Sequence, residues 1–333
     1  MARLDGISFW PRILSSLVAL APTGVLANDS SASLQTGGLE LIYNDKIEMQ
    51  QESLFLSKSA VRVRYLFHNK SAQDVETLVA FPLAGIETGE AGNYGIHASD
   101  PVNFIDFEVT VEGKKVTPSV QAKATSLGLD ITPVLLKYHL PLTTIMPNDE
   151  AQAKFYENLN RLPSDALAEL ERIGAITLSD NGAGQPPDVN PQWTANITFY
   201  WSQKFPAGKT IEVTHKYQPV PRIFLTSSEE LAKTDIRKDY CPDRAFLAAA
   251  KAAEKKSTLQ GTELRYIIQT ARNWSGPIGR FTLTIDKENS DSLISTCFTG
   301  LEKKSPTTFT ATKENFRPDK DLGVLLLDAV KAP

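Results

Sequence analysis

The sequence predicts a mainly β (α+β) fold: two antiparallel β-sandwich-like parts with a helical-hairpin insertion and one additional helix. Three observations predict it. Short segments with apolar residues at every second position crowd residues 28–130 and return in residues 191–333. Two segments of helix-forming composition, each with capping residues, lie between them. The composition, 41% hydrophobic and 22% charged, supplies enough apolar material for a large core.

The strands come first. In "AVRVRYLFH" (60–68), Val61, Val63, Tyr65 and Phe67 share one face, while Arg62 and Arg64 take the other. Period two with β-branched and aromatic residues is a half-buried strand. After the polar turn "NKSAQD", "VETLVAFPL" (75–83) repeats the pattern until Pro82, which cannot donate to a ladder and ends the strand or places it at an edge. "FIDFEVTVEGKKV" (104–116) turns Ile105, Phe107, Val109 and Val111 inward, then reverses at Glu112-Gly113. "GLELIYNDKIEMQQESLFLS" (38–57) adds two more strands, and the group reads as an antiparallel sandwich.

From about residue 131 the pattern changes. "NDEAQAKFYENLN" begins with Asn148 and Asp149, both good caps. "PSDALAELERIG" places Pro163 near a first helical position and Gly174 just past the end. Residues 131–190 are therefore expected as a helical insertion, closed by the turn-forming linker "SDNGAGQPPDVNP" (179–191). Residues 191–333 form a second β-rich part with one helix. "TANITFYWSQKFPAGKTIEVTHKYQPV" (194–220) reads as a hairpin, and "CPDRAFLAAAKAAEKK" (241–256) as an Ala-rich helix opened by Pro242 and Asp243. "LISTCF", "TTFTAT" and "LGVLLL" supply closing strands.

Residues 1–27 read as a signal peptide. Arg3 and Arg12 flank the apolar "ILSSLVALAPTGVLA", and small Val25 and Ala27 stand where a signal peptidase reads, predicting cleavage before Asn28. The apolar run is short for a bilayer of about 30 Å, so no membrane insertion is expected after cleavage. The expected location is the periplasm or the extracellular medium. Cys241 and Cys297 are the two cysteines, and an even count in an exported chain predicts a disulfide between them. They lack the CxxC spacing of a zinc site. A net charge of -4 with no basic stripe argues against a nucleic-acid partner.

Motifs of catalysis are missing. His68, His97, His139 and His215 form no HExxH pair, and His215 on an apolar strand face reads as a core residue. No GxSxG elbow, Walker loop or GxGxxG occurs, so no catalytic residue, metal or cofactor is assigned. The most distinctive loop is "ARNWSGPIG" (271–279), expected as a hairpin connection between "TELRYIIQ" and "GRFTLTID". Gly276 and Gly279 are read as backbone-angle residues. Arg272, Asn273 and Trp274 have two readings: a plug in which Trp274 folds onto the sandwich end, with Arg272 stacked on an aromatic, or a displayed binding surface.

The stretches "ANDSSASLQTGGLELIYNDKIEMQQESLFLS", "VRVRYLFHNKSAQDVETLVAFPL", "YWSQKFPAGKTIEVTHKYQPV" and "YIIQTARNWSGPIGRFTLTIDK" resemble a family of exported bacterial proteins, domain of unknown function 4424. The resemblance spans nearly the whole chain after residue 27 and implies a periplasmic or secreted protein with no assigned activity. "FHNKSAQDVETLVAFPL" with "FEVTVEGKKV" is also similar to the N-terminal β-sandwich domain of inter-alpha-trypsin inhibitor heavy chains, which supports a sandwich only. The expected function is non-enzymatic: binding an unidentified envelope protein or ligand, or a structural role there. The alternative is an envelope glycan- or peptide-acting hydrolase with spatially assembled carboxylates, since such pairs meet in space rather than in sequence.

Overall fold

The computed structural model describes residues 28–35, 38–88, 103–146, 148–182, 185 and 187–331. The expected signal peptide and His97 lie outside the described residues. Along the chain come β1 (Ser30–Gln35), β2 (Gly38–Leu41), β3 (Ile47–Leu56), β4 (Val61–Asn69), β5 (Val75–Pro82), β6 (Ile86–Glu87), β7 (Glu108–Val111), β8 (Lys114–Val116), β9 (Ser119–Ser126) and β10 (Leu129–Asp130). Next are α1 (Thr132–Lys137), α2 (Asp149–Asn160), α3 (Ser164–Arg172), β11 (Ile176–Ser179), β12 (Asp188–Pro191), β13 (Thr194–Phe205), β14 (Thr210–Tyr217) and β15 (Arg222–Thr226). The last are α4 (Thr234–Tyr240), α5 (Arg244–Glu254), β16 (Thr258–Tyr266), β17 (Ile278–Asp286), β18 (Leu293–Thr296), β19 (Glu302–Lys303), β20 (Thr308–Phe316) and β21 (Leu322–Val330).

The fold is mainly β, as the alternation predicts. One sheet runs β10-β9-β13-β5-β1-β2, with β6 also on β13; the facing sheet runs β19-β20-β17-β3-β4-β14-β7-β8. The paired strands are antiparallel except where β17 lies parallel to β3, and an isolated parallel bridge joins Asn44 to Trp274. Strands from before and after the helices share both sheets: β13 joins β5 and β9, while β14 joins β4 and β7. Val63, Tyr65, Phe67, Phe81, Phe199 and Val213 meet in the core between them.

Two connections differ from the expected hairpins. β13 and β14 do not pair; the four residues 206–209 carry the chain from one sheet to the other. Likewise β16 and β17 sit in different sheets, so residues 267–277 form a crossover. β17 alternates as expected, burying Phe281, Leu283 and Ile285, but β16 does not: Leu264, Tyr266 and Ile268 are buried, and so are Thr262, Glu263 and Ile267 between and beside them, because both faces of that strand are covered. Period two records which face is buried, not which neighbour supplies the ladder. A true hairpin forms at Glu112-Gly113, both at positive φ (49° and 73°), between β7 and β8.

A third sheet, β15-β16-β21-β18, packs as a middle layer. Val324 and Leu326 of β21 enter the sandwich core, while Leu325 and Leu327 enter a smaller core with Tyr240, Phe246 and Ala250 of α4 and α5. Both faces of β21 are covered, hence its unbroken apolar run "LGVLLL". Asp243 caps α5 by accepting from Phe246 N at 2.7 Å. Cys241 and Cys297 are joined, Cα atoms 4.9 Å apart, linking the end of α4 to the exit of β18. α1, α2, α3 and the hairpin β11–β12 enclose their own core around Phe155, Leu159, Leu170 and Trp193. Asn148 caps α2 through Ala151 N at 2.9 Å, and Pro163 is the N-cap of α3. Among the described residues, no helix is long and apolar enough to cross a membrane.

Candidate functional site

The loop 270–275 is a clamp on the first residues of the described chain. Trp274 is 1% exposed and packs on Phe67, ring centroids 4.9 Å apart. Its indole Nε1 donates to Asp29 O at 2.6 Å. Thr270 Oγ1 donates to Asn28 O at 2.9 Å, and Asn273 Nδ2 to Ser30 Oγ at 2.8 Å. Ser275 N donates to Ile47 O at 2.8 Å. Arg272 is exposed, and its Nε donates to Pro318 O rather than stacking on a ring. Trp274 thus occupies the plug position. Gly276 has a positive φ of 80°, but Gly279 serves differently: a Cβ there would stand 2.5 Å from Gln50 O. Its lack of a side chain permits close strand approach.

Beneath this clamp lies a sealed polar cluster. Asn28, Asp29, Glu52, Tyr65, His215 and Tyr266 are all buried. Asn28 Nδ2 donates to Glu52 Oε2 at 3.0 Å, Tyr266 OH donates to Glu52 Oε1 at 3.2 Å, and Tyr65 OH stands 2.9 Å from Tyr266 OH. Among the described residues, neither carboxylate oxygen of Asp29 has a hydrogen-bond partner, nor has either ring nitrogen of His215. His215 Nε2 nevertheless lies 3.5 Å from Asp29 Oδ2. His215 is therefore a core histidine, as its strand face predicts, but not one satisfied by hydrogen bonds. Burial pushes Glu52 up to about 8, against the opposing hydrogen bonds from Asn28 and Tyr266. Burial, then the nearby Glu52, raises Asp29 well above the usual carboxylate range. Burial lowers His215 to about 3.

Sequence reasoning missed Asp29 and Glu52. A signal for Glu52 was present. Ile47 and Met49 are inward at odd positions of β3, whereas Leu54 and Leu56 are inward at even ones. A regular strand cannot bury both sets. The register shifts between Met49 and Gln51, and this bulge carries Glu52 onto the buried face. Asp29 leaves no such trace, since it stands in a short polar run.

The molecule also has an open cleft where the sandwich end meets the third sheet. Leu56, Val61, Leu83, Ile105 and Val220 give it apolar walls. Its space, counting that open to solvent, is about 950 Å³. Arg222, Glu263 and Arg265 of the third sheet supply the polar side. Arg222 Nη1 pairs with the buried Glu263 Oε2 at 3.3 Å, and Arg265 Nη2 lies 3.7 Å from Asp239 Oδ2. The loop residues Arg272, Asn273 and Trp274 do not line this cleft. Among the described residues, no group of three or more His, Cys, Asp or Glu side chains is arranged to hold a metal ion.

With this architecture, the chain belongs to the family described as Domain of unknown function (DUF4424), which matches residues 27–325. Among solved structures it is similar to a putative nutrient binding protein from Legionella pneumophila subsp. pneumophila str. Philadelphia 1. That pair is 12% identical with a TM-score of 0.45, over 91% of this chain and 71% of the other. It is also similar, at 8% identity and a TM-score of 0.28, to an M1 zinc metallopeptidase from Deinococcus radiodurans, over 86% of this chain and 43% of that one. No curated protein matches.

Proposed function

We propose that this is an exported, non-enzymatic binding protein of the bacterial cell envelope, and that the cleft beside Val220 receives its ligand or partner. The observation that carries this reading is the separation of acids from access. The hydrolase alternative needs paired carboxylates where a substrate can reach them. Asp29 and Glu52 are paired but sealed under Trp274, and Glu263 in the cleft is held by Arg222. Apolar walls with a few convergent polar groups are what small-molecule binding sites offer. The signal-peptide pattern of residues 1–27 supports export.

Native mass spectrometry of the protein purified from its own envelope tests this. A bound species is expected on the wild type and absent from Val220→Trp, whose indole fills the cleft, with the melting midpoint within a few degrees. Turnover of envelope glycan or peptide, abolished by Glu263→Gln, would replace this reading with the hydrolase. An equal load on wild type and variant would place binding elsewhere.

A further inference from the structure

The sealed cluster has too few donors for its acids. Asp29 and Glu52 are fully buried, yet among the described residues no lysine or arginine pairs with them, and His215, whose Nε2 lies 3.5 Å from Asp29 Oδ2, is held neutral by burial. The groups facing Asp29 and Glu52 are Tyr65 of β4, His215 of β14 and Tyr266 of β16, with Tyr217 of β14 next to the two tyrosines. None of these brings a positive charge at neutral pH. A buried carboxylate without a counter-charge is costly, so both acids retain protons well above their ordinary range.

One residue of the cluster has a latent cation. Asn28 is itself fully buried, fixed by its Nδ2 on Glu52, by its Oδ1 accepting from Asp29 N at 2.7 Å, and by Thr270 on its carbonyl. Bond lengths keep its backbone nitrogen within about 5 Å of the amide nitrogen that touches Glu52. The peptidase pattern at Val25 and Ala27 marks the bond before this same residue.

We propose that the backbone nitrogen of Asn28, released as an α-ammonium by cleavage of the Ala27–Asn28 bond, is the buried counter-charge of Asp29 and Glu52, so that processing completes the sandwich core. Water adds across the peptide bond. Its oxygen goes to the Ala27 carbonyl carbon, leaving a carboxylate, and its two protons convert the amide N–H of Asn28 into NH₃⁺. One donor becomes three, and a positive charge appears one residue from two Asp29 oxygens that have no hydrogen-bond partner among the described residues. Asp29 is the principal partner, because Glu52 already accepts from Asn28 and Tyr266. An unfolded α-amine titrates near 7.7–8.0. Paired in the core, it titrates higher. Its stabilisation is therefore full below about pH 8 and lost as pH rises through the folded value.

The inference rests on the export reading only for the position of the cut, and its test is independent of export. The chain 28–333 is made from a fusion by a protease that leaves Asn28 first, alongside a form with one Gly ahead of Asn28. At pH 7 the form beginning at Asn28 is expected to melt higher by at least about 5 °C. Asp29→Asn should abolish most of that difference. The α-amine of the native form should acylate at least about 10-fold more slowly than in the unfolded chain. Equal melting of the two forms, or an α-amine that acylates at the unfolded rate, overturns the proposal. If the Gly form does not fold, the acylation rate decides alone. N-terminal sequencing of the native protein tests export separately: an intact Met1 would end that reading and leave the charge pairing to stand or fall on the purified forms.

Discussion

The sandwich interior and the outer face of the third sheet are held in different ways. In the sandwich, stacked rings such as Phe107 on Phe199 (4.4 Å) and Phe81 on Phe107 (5.1 Å) surround a core large enough to carry two buried acids. Behind the third sheet, a thin layer of Tyr240, Phe246, Leu259, Leu325 and Leu327 is joined by the one covalent cross-link in the chain. The difference shows what core size permits. A broad core offsets the cost of burying polar groups; a narrow one has little to spare and gains most from a constraint on the unfolded chain.

The largest expected effect tests the sandwich side. Trp274→Ala should cost about 5 kcal/mol, because it truncates a buried aromatic and releases the clamp on Asp29. Denaturant unfolding measures it. A loss under about 1 kcal/mol would mean that the loop is displayed rather than packed, and the contrast with the outer layer would collapse.

Replacing Cys241 and Cys297 together with Ser should cost roughly 4 kcal/mol, from the loop-closure entropy of 56 residues. The loss should be local. Hydrogen exchange is expected to accelerate in α4, α5 and β18 first, with β4 and β14 unchanged. Simultaneous acceleration in all five would show that the outer layer and the sandwich form one cooperative unit.

The smallest effect concerns pH and sharpens the account of the buried acids. In the form that carries a residue ahead of Asn28, Glu52 holds its proton to about pH 8 when folded, against an ordinary 4.5. The folded chain binds more protons across that interval, so stability falls as pH rises through it. His215, lowered to about 3 from 6.5, acts in the opposite direction but only below about 6.5. Between pH 6.5 and 8, Glu52→Gln should therefore gain about 2 kcal/mol on the unsubstituted form. Thermal melts of both at several pH values read this. A constant difference across that window would mean that Glu52 is ionised in the folded chain.

Much of the architecture was legible in the sequence, for physical reasons that name their own limits. Tyr65 and Phe67 against Arg62 and Arg64 declare a strand with one wet face, because burial imposes a period of two. Asn148 and Asp243 declare helix starts, because their side chains satisfy amide groups that the helix leaves open. The half-bridges Cys241 and Cys297 were paired by count. Sheet membership was not legible at 206–209 or 267–277. A short connection can turn back within one sheet or cross to the facing one, and alternation is the same in both cases.

By itself, then, the sequence determined which residues alternate, where helices begin, and that an apolar run precedes Asn28. These are local properties, set by backbone geometry and side-chain type. Only the tertiary structure decided that Trp274 closes over Asp29, that the bulge at Gln50 turns Glu52 inward, and that the acids lie apart from the cleft beside Val220. Those are distances between residues far apart in the chain, fixed by how two sheets pack, and no local pattern encodes them.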